Sequence, residues 1–317
     1  MKRIKIRRLL LPALVFSLGV HALAIAAPDP AKLVELTVEQ AEVLVAKKGR
    51  LSLPGLTWLS AESAAVLARH EGELELNGLT ELSGAAAAGL SKHAAVPGFA
   101  RSDLYLNGIR HLSVQAAEAL AAHKGCVSLH GLESLDSLPL ATKIAAQWGE
   151  VRLGVTTLTP DVAAELARSR GVSEDRSRPG VVIRRGDKAA SILRFDRLTS
   201  LGKEVAQALA GADGVLVLNG LERLEAGAAE QLSLRKGTLV LNGIKELSVE
   251  TAAALSAFPG ELVLKALPSL PSGGAAALAR HKGRLYLTGL KSLTEADRQV
   301  LGKHPNLVLP REIGFSQ

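Results

Sequence analysis

A repeat of 23 residues constrains this chain of 317 residues more than any other feature. A leucine, which Ser or Thr follows in most units, marks the start of each repeat. The markers are Leu36, Leu59, Leu82, Leu112, Leu135, Leu158, Leu201, Leu224, Leu247, Leu270 and Leu293. Eight of their ten intervals are 23 residues, and the other two are one period with 7 and 20 additional residues. Such an array buries a core by stacking neighbouring repeats on one another.

The first half of each repeat predicts a helix. Ser or Thr follows the marker leucine, where its oxygen caps the first turn, and glutamates add charge that favours a helix start. The capping residues are Thr37, Ser60, Ser83, Ser113, Thr159, Ser248 and Thr294, and the glutamates are Glu39, Glu62, Glu204 and Glu250. Apolar residues at three- and four-residue spacing then predict one narrow buried stripe.

Glycine follows the helical stretch in most repeats, in a position that suits a left-handed helix end. These glycines are Gly49, Gly72, Gly125, Gly214, Gly237, Gly260 and Gly283. Five of the eight histidines lie just before this point, where the helix dipole favours them. They are His70, His93, His123, His281 and His304. A stacked column that binds a transition metal is the alternative for these histidines, but we expect no metal site.

The second half of each repeat predicts a short strand that ends in a turn. Leucines alternate with variable residues, as at Leu74 and Leu76, and Asn77 and Gly78 follow directly. Asn-Gly is also a strong hairpin signal, so a helix-plus-hairpin unit is the alternative. A helix of ten residues spans about 15 Å, and a strand of four or five residues spans about 13 to 17 Å. Because these lengths match as two legs of one coil, we favour one parallel strand and one helix per repeat.

With these features the sequence resembles the leucine-rich repeat superfamily, in a variant associated with secreted bacterial proteins. The segments LELNGLTEL at residues 74–82 and LVLNGIKEL at residues 239–247 are similar to the strand segment of that family, and the likeness covers residues 36–309. Here Asn follows the strand directly instead of lying deeper in the turn. The resemblance implies an α/β fold, a right-handed solenoid of about eleven 23-residue repeats with a parallel sheet on one face and helices on the other. It also implies a binding scaffold that is rarely catalytic.

The first 26 residues have the pattern of a secretory signal peptide. Basic residues precede an apolar run at residues 9–20 and small residues at 22–27, with cleavage expected after Ala26. The apolar run is short for a membrane span. We therefore expect an exported mature chain without a membrane span, located in the periplasm, at the cell surface or in the medium.

Most of the formal net charge of +7 belongs to this expected signal peptide. The segment holds five of the 38 Lys and Arg residues, which leaves 33 basic residues against 31 acidic ones. The mature chain is then close to neutral, so we expect no nucleic-acid partner.

The sequence contains no recognisable catalytic or cofactor motif. Nothing matches a zinc-protease helix, a phosphate-binding glycine loop or a nucleophile elbow, so we expect neither an enzyme nor a cofactor. Cys126 is the only cysteine and has no second thiol within the chain for a disulfide.

Within each strand, the residue between the paired leucines points away from the core. In chain order this outward row is Ser52, Glu75, Tyr105, Ser128, Arg152, Arg194, Val217, Val240, Val263, Tyr286 and Val308. The row is mostly polar or charged in its first half and mostly apolar in its second half, which indicates a binding surface. Its candidate binding residues are Tyr105, Arg152, Arg194, Val217, Val240, Val263 and Tyr286. The alternative is that another part of the same chain covers the valines.

Two insertions interrupt the array at the same point of the repeat, at residues 94–103 and 170–191. We expect the longer one to contain a loop and a hairpin in which residues 181–184 pair with residues 192–195. Insertions into repeat arrays often serve binding. The further binding candidates in this insertion are Arg184 and Arg185.

One solenoid is expected over residues 36–317, with an N-terminal cap at residues 27–35 and a C-terminal cap at residues 305–317. Together these features predict an exported, non-catalytic scaffold that binds a protein or other macromolecule through the strand face, the longer insertion or both. A structural component of the cell envelope or extracellular matrix, in which self-association replaces a ligand, is the alternative. An enzyme with its chemistry in the insertions is a third one.

Overall fold

The computed structural model describes residues 29–94, 102–147, 150–169, 173–174, 182–183, 191–311 and 314–315. The expected signal peptide and most of the longer insertion lie outside the described residues. Within the described ranges, no helix is long and apolar enough to cross a membrane.

Helices and strands alternate along the chain. The described helices are α1 (Val38–Val45), α2 (Ala61–Leu67), α3 (Gly84–Leu90), α4 (Val114–Ala121), α5 (Leu138–Ala145), α6 (Pro160–Ala167), α7 (Lys203–Ala210), α8 (Ala226–Leu232), α9 (Val249–Ser256), α10 (Gly274–Leu278) and α11 (Glu295–Leu301). The described strands are β1 (Leu51–Ser52), β2 (Leu74–Glu75), β3 (Leu104–Tyr105), β4 (Val127–Ser128), β5 (Val151–Leu153), β6 (Ser173–Glu174), β7 (Val182–Ile183), β8 (Ile192–Phe195), β9 (Val215–Val217), β10 (Thr238–Val240), β11 (Glu261–Val263), β12 (Leu285–Tyr286), β13 (Ser292–Leu293), β14 (Leu307–Val308) and β15 (Gly314–Phe315).

Side-chain caps begin most of these helices, as the repeat pattern predicts. At all seven predicted caps the side-chain oxygen accepts a hydrogen bond from the amide three residues later. Ser60, for example, accepts from the Ser63 amide at 3.0 Å. Ser137 caps α5 in the same way, although the repeat pattern did not mark it. Three helices begin without a side-chain cap, and their N-cap residues are Gly202, Glu225 and Gly273.

The strands form parallel sheets along one face of the coils. Strands β1 to β4 pair in order, and β5, β8, β9, β10, β11, β12 and β14 form a second run. Equivalent residues face one another, so that Leu74 pairs with Leu104 and Leu239 pairs with Leu262. Each helix packs against the helix of the next coil. The predicted α/β solenoid is confirmed, and the helix-plus-hairpin unit is excluded because the arms of a hairpin are antiparallel.

Leucine and alanine fill the space between the sheet and the helices. Strand residues such as Leu74 and Leu76 are fully buried, and so are helix residues such as Ala64 and Leu67. Small helix residues let neighbouring helices approach closely. A Cβ at Gly89 of α3 would lie only 3.1 Å from the Ala64 methyl group of α2.

Three buried histidines form a stack beside the helix ends. The rings of His70, His93 and His123 are stacked with centroid distances of 6.4 and 6.1 Å. Each Nε2 lies 2.7 or 2.8 Å from a main-chain carbonyl oxygen of the preceding coil. Burial lowers the pKa of His93 and of His123, so these rings are neutral near pH 7. Hydrogen bonding between coils, and not attraction of a charged ring to the helix dipole, therefore explains this column.

In the second half of the array, other side chains occupy the position of the stacked histidines in the repeat. Phe258, His281 and His304 form a second stack with centroid distances of 6.2 and 5.9 Å. In the coil before them, Arg235 is 1% exposed and its guanidinium donates to three main-chain carbonyl oxygens. Burial lowers the pKa of Arg235 to about 10. Arg235 thus bridges adjacent coils as the histidines of the first half do.

The Asn-Gly pairs after the strands join successive turns. The Asn77 side-chain oxygen accepts from the Asn107 amide at 3.1 Å, and the Asn107 side-chain oxygen accepts from the His130 amide at 3.0 Å. Glycine follows because the main chain approaches the preceding coil here. A Cβ at Gly108 would lie 2.2 Å from the Asn77 carbonyl oxygen. Close packing between coils, and not a hairpin turn, requires this glycine.

The expectation that seven glycines provide left-handed helix ends is wrong, because the C-cap residues of the helices lie three or four residues before these glycines. Positive φ angles occur at four, which are Gly49, Gly72, Gly214 and Gly237. The other three are Gly125, Gly260 and Gly283. A Cβ at Gly260 would lie 1.8 Å from the Gly237 carbonyl oxygen. The helices themselves end earlier and in the right-handed region, as at Ala68.

The hairpin expected in the longer insertion is also wrong in its pairing. Strand β8 is parallel to β5 and β9 within the main sheet and does not pair with β7. Strand β7 instead pairs antiparallel with β6. The physical reason is that Leu193 and Phe195 occupy the inward positions of the repeat strand, where both are buried.

Chain segments outside the strand–helix coils contact the first and last coils that the structure describes. At the N-terminal end, Leu33 and Leu36 are buried against the first coil, and the Thr57 amide donates to the Val34 carbonyl at 3.0 Å. At the C-terminal end, β15 pairs in parallel with β13.

Replacing Leu67 by Ala should lower the free energy of unfolding by about 2 to 5 kcal/mol, because removal of this fully buried side chain opens a cavity. Urea denaturation followed by circular dichroism measures the change. Val114→Ala is the matched control, since Val114 is 71% exposed and should change stability by less than about 0.5 kcal/mol. A loss below about 1 kcal/mol at Leu67 would contradict the buried helix stripe.

Stability should also decrease as the pH falls. Folding lowers the pKa of His93 and of His123 below the ordinary value of 6.5, so the unfolded chain binds protons more readily. The free energy of unfolding should therefore be highest above pH 6.5 and decrease below it. Urea denaturation between about pH 8 and about pH 5 measures this dependence. His93→Phe, with the ring found at Phe258, should weaken the dependence, and an unchanged pH profile would argue against the stack as its source.

Candidate binding surface

The predicted outward row is continuous within each sheet. Register partners follow one another from Ser52 to Ser128 in the first run and from Arg152 to Val308 in the second. The strands therefore place the candidates predicted for the strand face on one surface of the solenoid. These residues are Tyr105, Arg152, Arg194, Val217, Val240, Val263 and Tyr286.

The apolar half of the row differs in exposure from residue to residue. Val217 and Val263 are 3% and 6% exposed, so they offer little open surface. Val240, Tyr286 and Val308 are half-buried. The accessible apolar surface is therefore centred on Val240 and Tyr286.

A cluster of two arginines and two acids crosses the middle of the row. Arg194 bonds to Glu150 and also lies 3.6 Å from Asp196. Arg152 lies 3.5 Å from the same Asp196, and the Asn219 side chain donates to Asp196 at 2.8 Å. The hydrogen bond to Glu150 raises the pKa of Arg194. Because the four charges balance, the cluster orients its side chains without creating a charged patch.

The sheet is interrupted between β4 and β5, which do not pair. A cleft of about 210 Å³ lies at this interruption. Its buried apolar lining includes Leu129, Ile144 and Val151. Its polar lining residues include Asp103, Tyr105, Ser128, His130, Gln147 and Arg152.

An irregularity in one repeat accompanies the interruption. Val127 and Val151 are 24 residues apart, because one extra residue lies between the marker Leu135 and the cap Ser137 of α5, and no Asn stands between Leu153 and Gly154. The side-chain Oε1 of Gln147 accepts from the Val127 amide at 2.6 Å in place of the next strand. The outward row did not predict this cleft, although the missing Asn before Gly154 was a visible signal.

Titratable side chains surround the cleft. Partial burial of the ring and the positive charge of Arg152 lower the pKa of His130. Burial also lowers the pKa of Lys143, while attraction to Cys126 and Asp103 opposes that shift. The Asp103 carboxylate accepts from the Cys126 amide at 3.0 Å. Acidic, basic and amide groups therefore share one small cleft on the strand face.

The predicted site residues separate into three groups. Tyr105 and Arg152 belong to the outward row and also line the cleft. The remaining candidates of the row lie in the second sheet run, beyond the cleft. Arg184 and Arg185 fall outside the described residues. In the ranges that the structure describes, no group of three or more His, Cys, Asp or Glu side chains is placed to hold a metal ion.

Comparison with known proteins gives structural matches only. No protein-family model matches the sequence, and no curated protein matches it. The chain is similar to an internalin from Listeria monocytogenes, at 12% identity and a TM-score of 0.38, over 89% of this chain and 85% of the internalin. It is also similar to a chain of the Toll–Spatzle complex of Drosophila, at 14% identity and a TM-score of 0.47, over 89% of this chain. This chain spans only 38% of that protein's chain.

Both TM-scores lie below 0.5, so these matches do not assign the class of protein. The class follows from the architecture of the coils. Short parallel strands lie on one face, helices on the other, and inward leucines recur with a 23-residue period. This arrangement is a leucine-rich-repeat-like α/β solenoid. The resemblance seen in the sequence is thus confirmed at the level of the fold.

Replacing Arg152 by Gln should raise the pKa of His130 toward its ordinary value, because a positive charge beside the ring is removed. Glu150→Gln should lower the pKa of His130 further, because a favourable negative charge is removed. NMR titration of the His130 ring signals measures both shifts, with the exposed His111 ring as an internal reference. If Arg152→Gln leaves the pKa of His130 unchanged, the guanidinium does not face the ring.

Proposed function

We propose that this protein is a non-catalytic interaction scaffold that binds a protein or another macromolecule through its strand face. The observation that carries the proposal is the division of the outward row into an ion-paired region and an apolar region. Parallel strands present the row at intervals of about 4.8 Å. A partner would meet these side chains as one preorganised surface, which lowers the entropy cost of binding.

The apolar region supports affinity. Tyrosine is common at the energetic centres of protein interfaces, and the half-buried Tyr286 lies two strands from Val240 in the same row, with Val263 between them. Full burial of a fully exposed Val is worth about 1.5 to 3 kcal/mol. Because Val240 and Tyr286 are already half-buried, each contributes part of such a gain. Affinity would then come from several neighbouring strands acting together.

The ion-paired region supports orientation of the partner. Arg152 and Arg194 are held by Glu150 and Asp196, so their positions are set before binding. Charges of this kind contribute more to specificity and register than to affinity. Arg184 and Arg185 of the longer insertion are additional candidate contacts in this proposal.

The same proposal includes export of the protein. The basic start, the apolar run at residues 9–20 and the small residues at 22–27 support a cleaved signal peptide. The scaffold would then meet its partner in the periplasm, at the cell surface or in the medium.

Combining Val240→Glu with Tyr286→Ala should weaken binding of the partner, because the first change places a charge in the accessible apolar region and the second deletes its aromatic ring. Mature protein and variant are used as baits in the native extracellular fraction, and captured proteins are quantified by mass spectrometry. We expect capture to fall about tenfold or more, which corresponds to about 1.4 kcal/mol. Both altered side chains are half-buried, so the fold should persist, which circular dichroism checks.

Val114→Glu is the matched control, because it places the same charge at a 71% exposed position on helix α4. This control variant should capture the same proteins, in the same amounts, as the mature protein. Equal capture by a folded strand-face variant and by the control would refute the strand face as the binding site. Assembly of the mature protein that grows with its concentration, without any captured partner, would favour the structural-component alternative.

A further inference from the structure

The last two coils carry an excess of positive charge. Residues 270–311, all of which the structure describes, hold seven Lys or Arg residues and two Asp or Glu residues. The rest of the expected mature chain holds the other 26 of the 33 basic residues and 29 of the 31 acidic ones. The positive charge is therefore concentrated near the C-terminal end of the array, and the remainder of the mature chain is slightly negative.

Four exposed cations of these coils lie together at the edge of the solenoid where helices end and strands begin. This basic edge consists of Arg280, Lys282, Arg284 and Lys303. The rings of His281 and His304 stack with their centroids 5.9 Å apart. Because three of the four cations are sequence neighbours of these two rings, the stack holds them side by side on adjacent coils.

Cations at the same edge of the first two coils are paired with acids. The positions equivalent to Arg280, Lys282 and Arg284 are again basic there, and each has an acidic partner on the neighbouring coil. These pairs are Arg69 with Glu42, Lys48 with Glu71 at 2.8 Å, and Arg50 with Glu75. The repeat can therefore compensate charge at this edge when the adjacent coil supplies an acid.

Among the described residues, the basic edge has no ion pair of this kind. The last coil places Lys303, Pro305 and Asn306 at the positions where acids would be needed. On the other side, Glu261 attracts Arg284 without forming an ion pair. Four cations and one nearby acid leave a positive surface, and complementary charge on a partner is attracted to such a surface.

The basic edge adjoins the apolar region of the outward row. The Arg284 guanidinium donates to the Tyr286 hydroxyl at 3.2 Å, and Tyr286 belongs to that row. A partner seated on the apolar region therefore reaches the basic edge. A nucleic acid or a membrane surface would extend beyond these two coils onto the negative remainder of the molecule, which repels it. A short run of carboxylates fits the basic edge without this cost.

We propose that the basic edge binds an acidic segment of the protein partner, whose Asp or Glu carboxylates pair with its four cations. This rests on the scaffold function proposed above and adds a charge requirement to the partner. Hydrogen bonds between carboxylates and Arg or Lys are charge-assisted and directional. The acidic segment then fixes the register of the partner beside its apolar contacts with Val240 and Tyr286.

The test uses N-acetyl-hexaglutamate amide as the probe, titrated at low salt into nitrogen-15-labelled mature protein and followed by NMR. Saturable shifts are expected for the amide signals of Lys282, Arg284 and Lys303, but not for those of Leu74 and Leu76. Added salt should raise the Kd, because it screens exposed charges. The neutral N-acetyl-hexaglutamine amide has the same length and should give no saturable shift.

Lys282→Glu combined with Lys303→Glu should raise the Kd of the probe about fivefold or more, because two attractions become repulsions. The same variant should gain binding of N-acetyl-hexalysine amide, which a misfolded protein would not do at this edge. Lys203→Glu combined with Lys291→Glu is the matched control. Both of its lysines are exposed at the opposite edge, where helix α7 begins and where the turn after β12 lies. This control should change the Kd by less than about twofold.

Three results would overturn the proposal. The first is the absence of saturable shifts at the basic edge in folded protein. The second is an equal rise of the Kd in the double variant and in its matched control. The third is tighter binding of a short DNA duplex or of phosphatidylglycerol vesicles to the same edge, at equal concentration of negative charge, because the occupant would then not be a peptide.

The basic edge and the strand face can fail separately, because the probe titration does not depend on capture of a partner. A negative titration, with loss of partner in the strand-face variant, removes the acidic segment and leaves the scaffold function. A positive titration, with no loss of partner in the strand-face variant, refutes the strand face and leaves the basic edge as a site for acidic peptides.

Discussion

Close approach of each coil to the next is the constraint on which the rest of this structure depends. Parallel strands hydrogen-bond at a separation of about 4.8 Å, and the chain must keep a similar spacing through the turns and beyond the helices. Glycine is required at both places, because a Cβ at Gly108 or Gly260 would collide with a carbonyl oxygen of the preceding coil. Alanine on the helices permits the same close spacing, because its side chain is small. Buried donors such as His93 then satisfy the carbonyl groups that this packing removes from water.

The sequence predicted the features that recur in many repeats and missed those that occur once. The cap at Ser60, the inward Leu74 and the outward Glu75 each have equivalents along the array, so independent repeats supported every assignment. The interruption after β4 coincides with one extra residue before α5 and one missing residue after β5, which together leave the spacing of the marker leucines unchanged. The histidine column was recognised but misinterpreted, because periodicity shows which residues share a position and not whether that position is buried. His93 is in fact 0% exposed.

Two kinds of chemistry coexist on the strand face. The outward row offers side chains, with charges held in place around Asp196 and accessible apolar groups around Val240. The cleft offers main-chain groups that the interrupted sheet leaves without partners. Tyr105 and Arg152 belong to both features, so the two regions are continuous. In the proposed function, the row contacts the side chains of the partner.

The missing pairing between β4 and β5 also affects how the molecule unfolds. In a linear array, stability is a sum of terms for single coils and for contacts between neighbours. The contact at this point keeps the turn bond and the packing of α4 on α5 but lacks the strand pairing that its neighbours have. Local opening therefore separates a block with four paired strands from a block with seven. One continuous solenoid thus contains a boundary between two cooperative units.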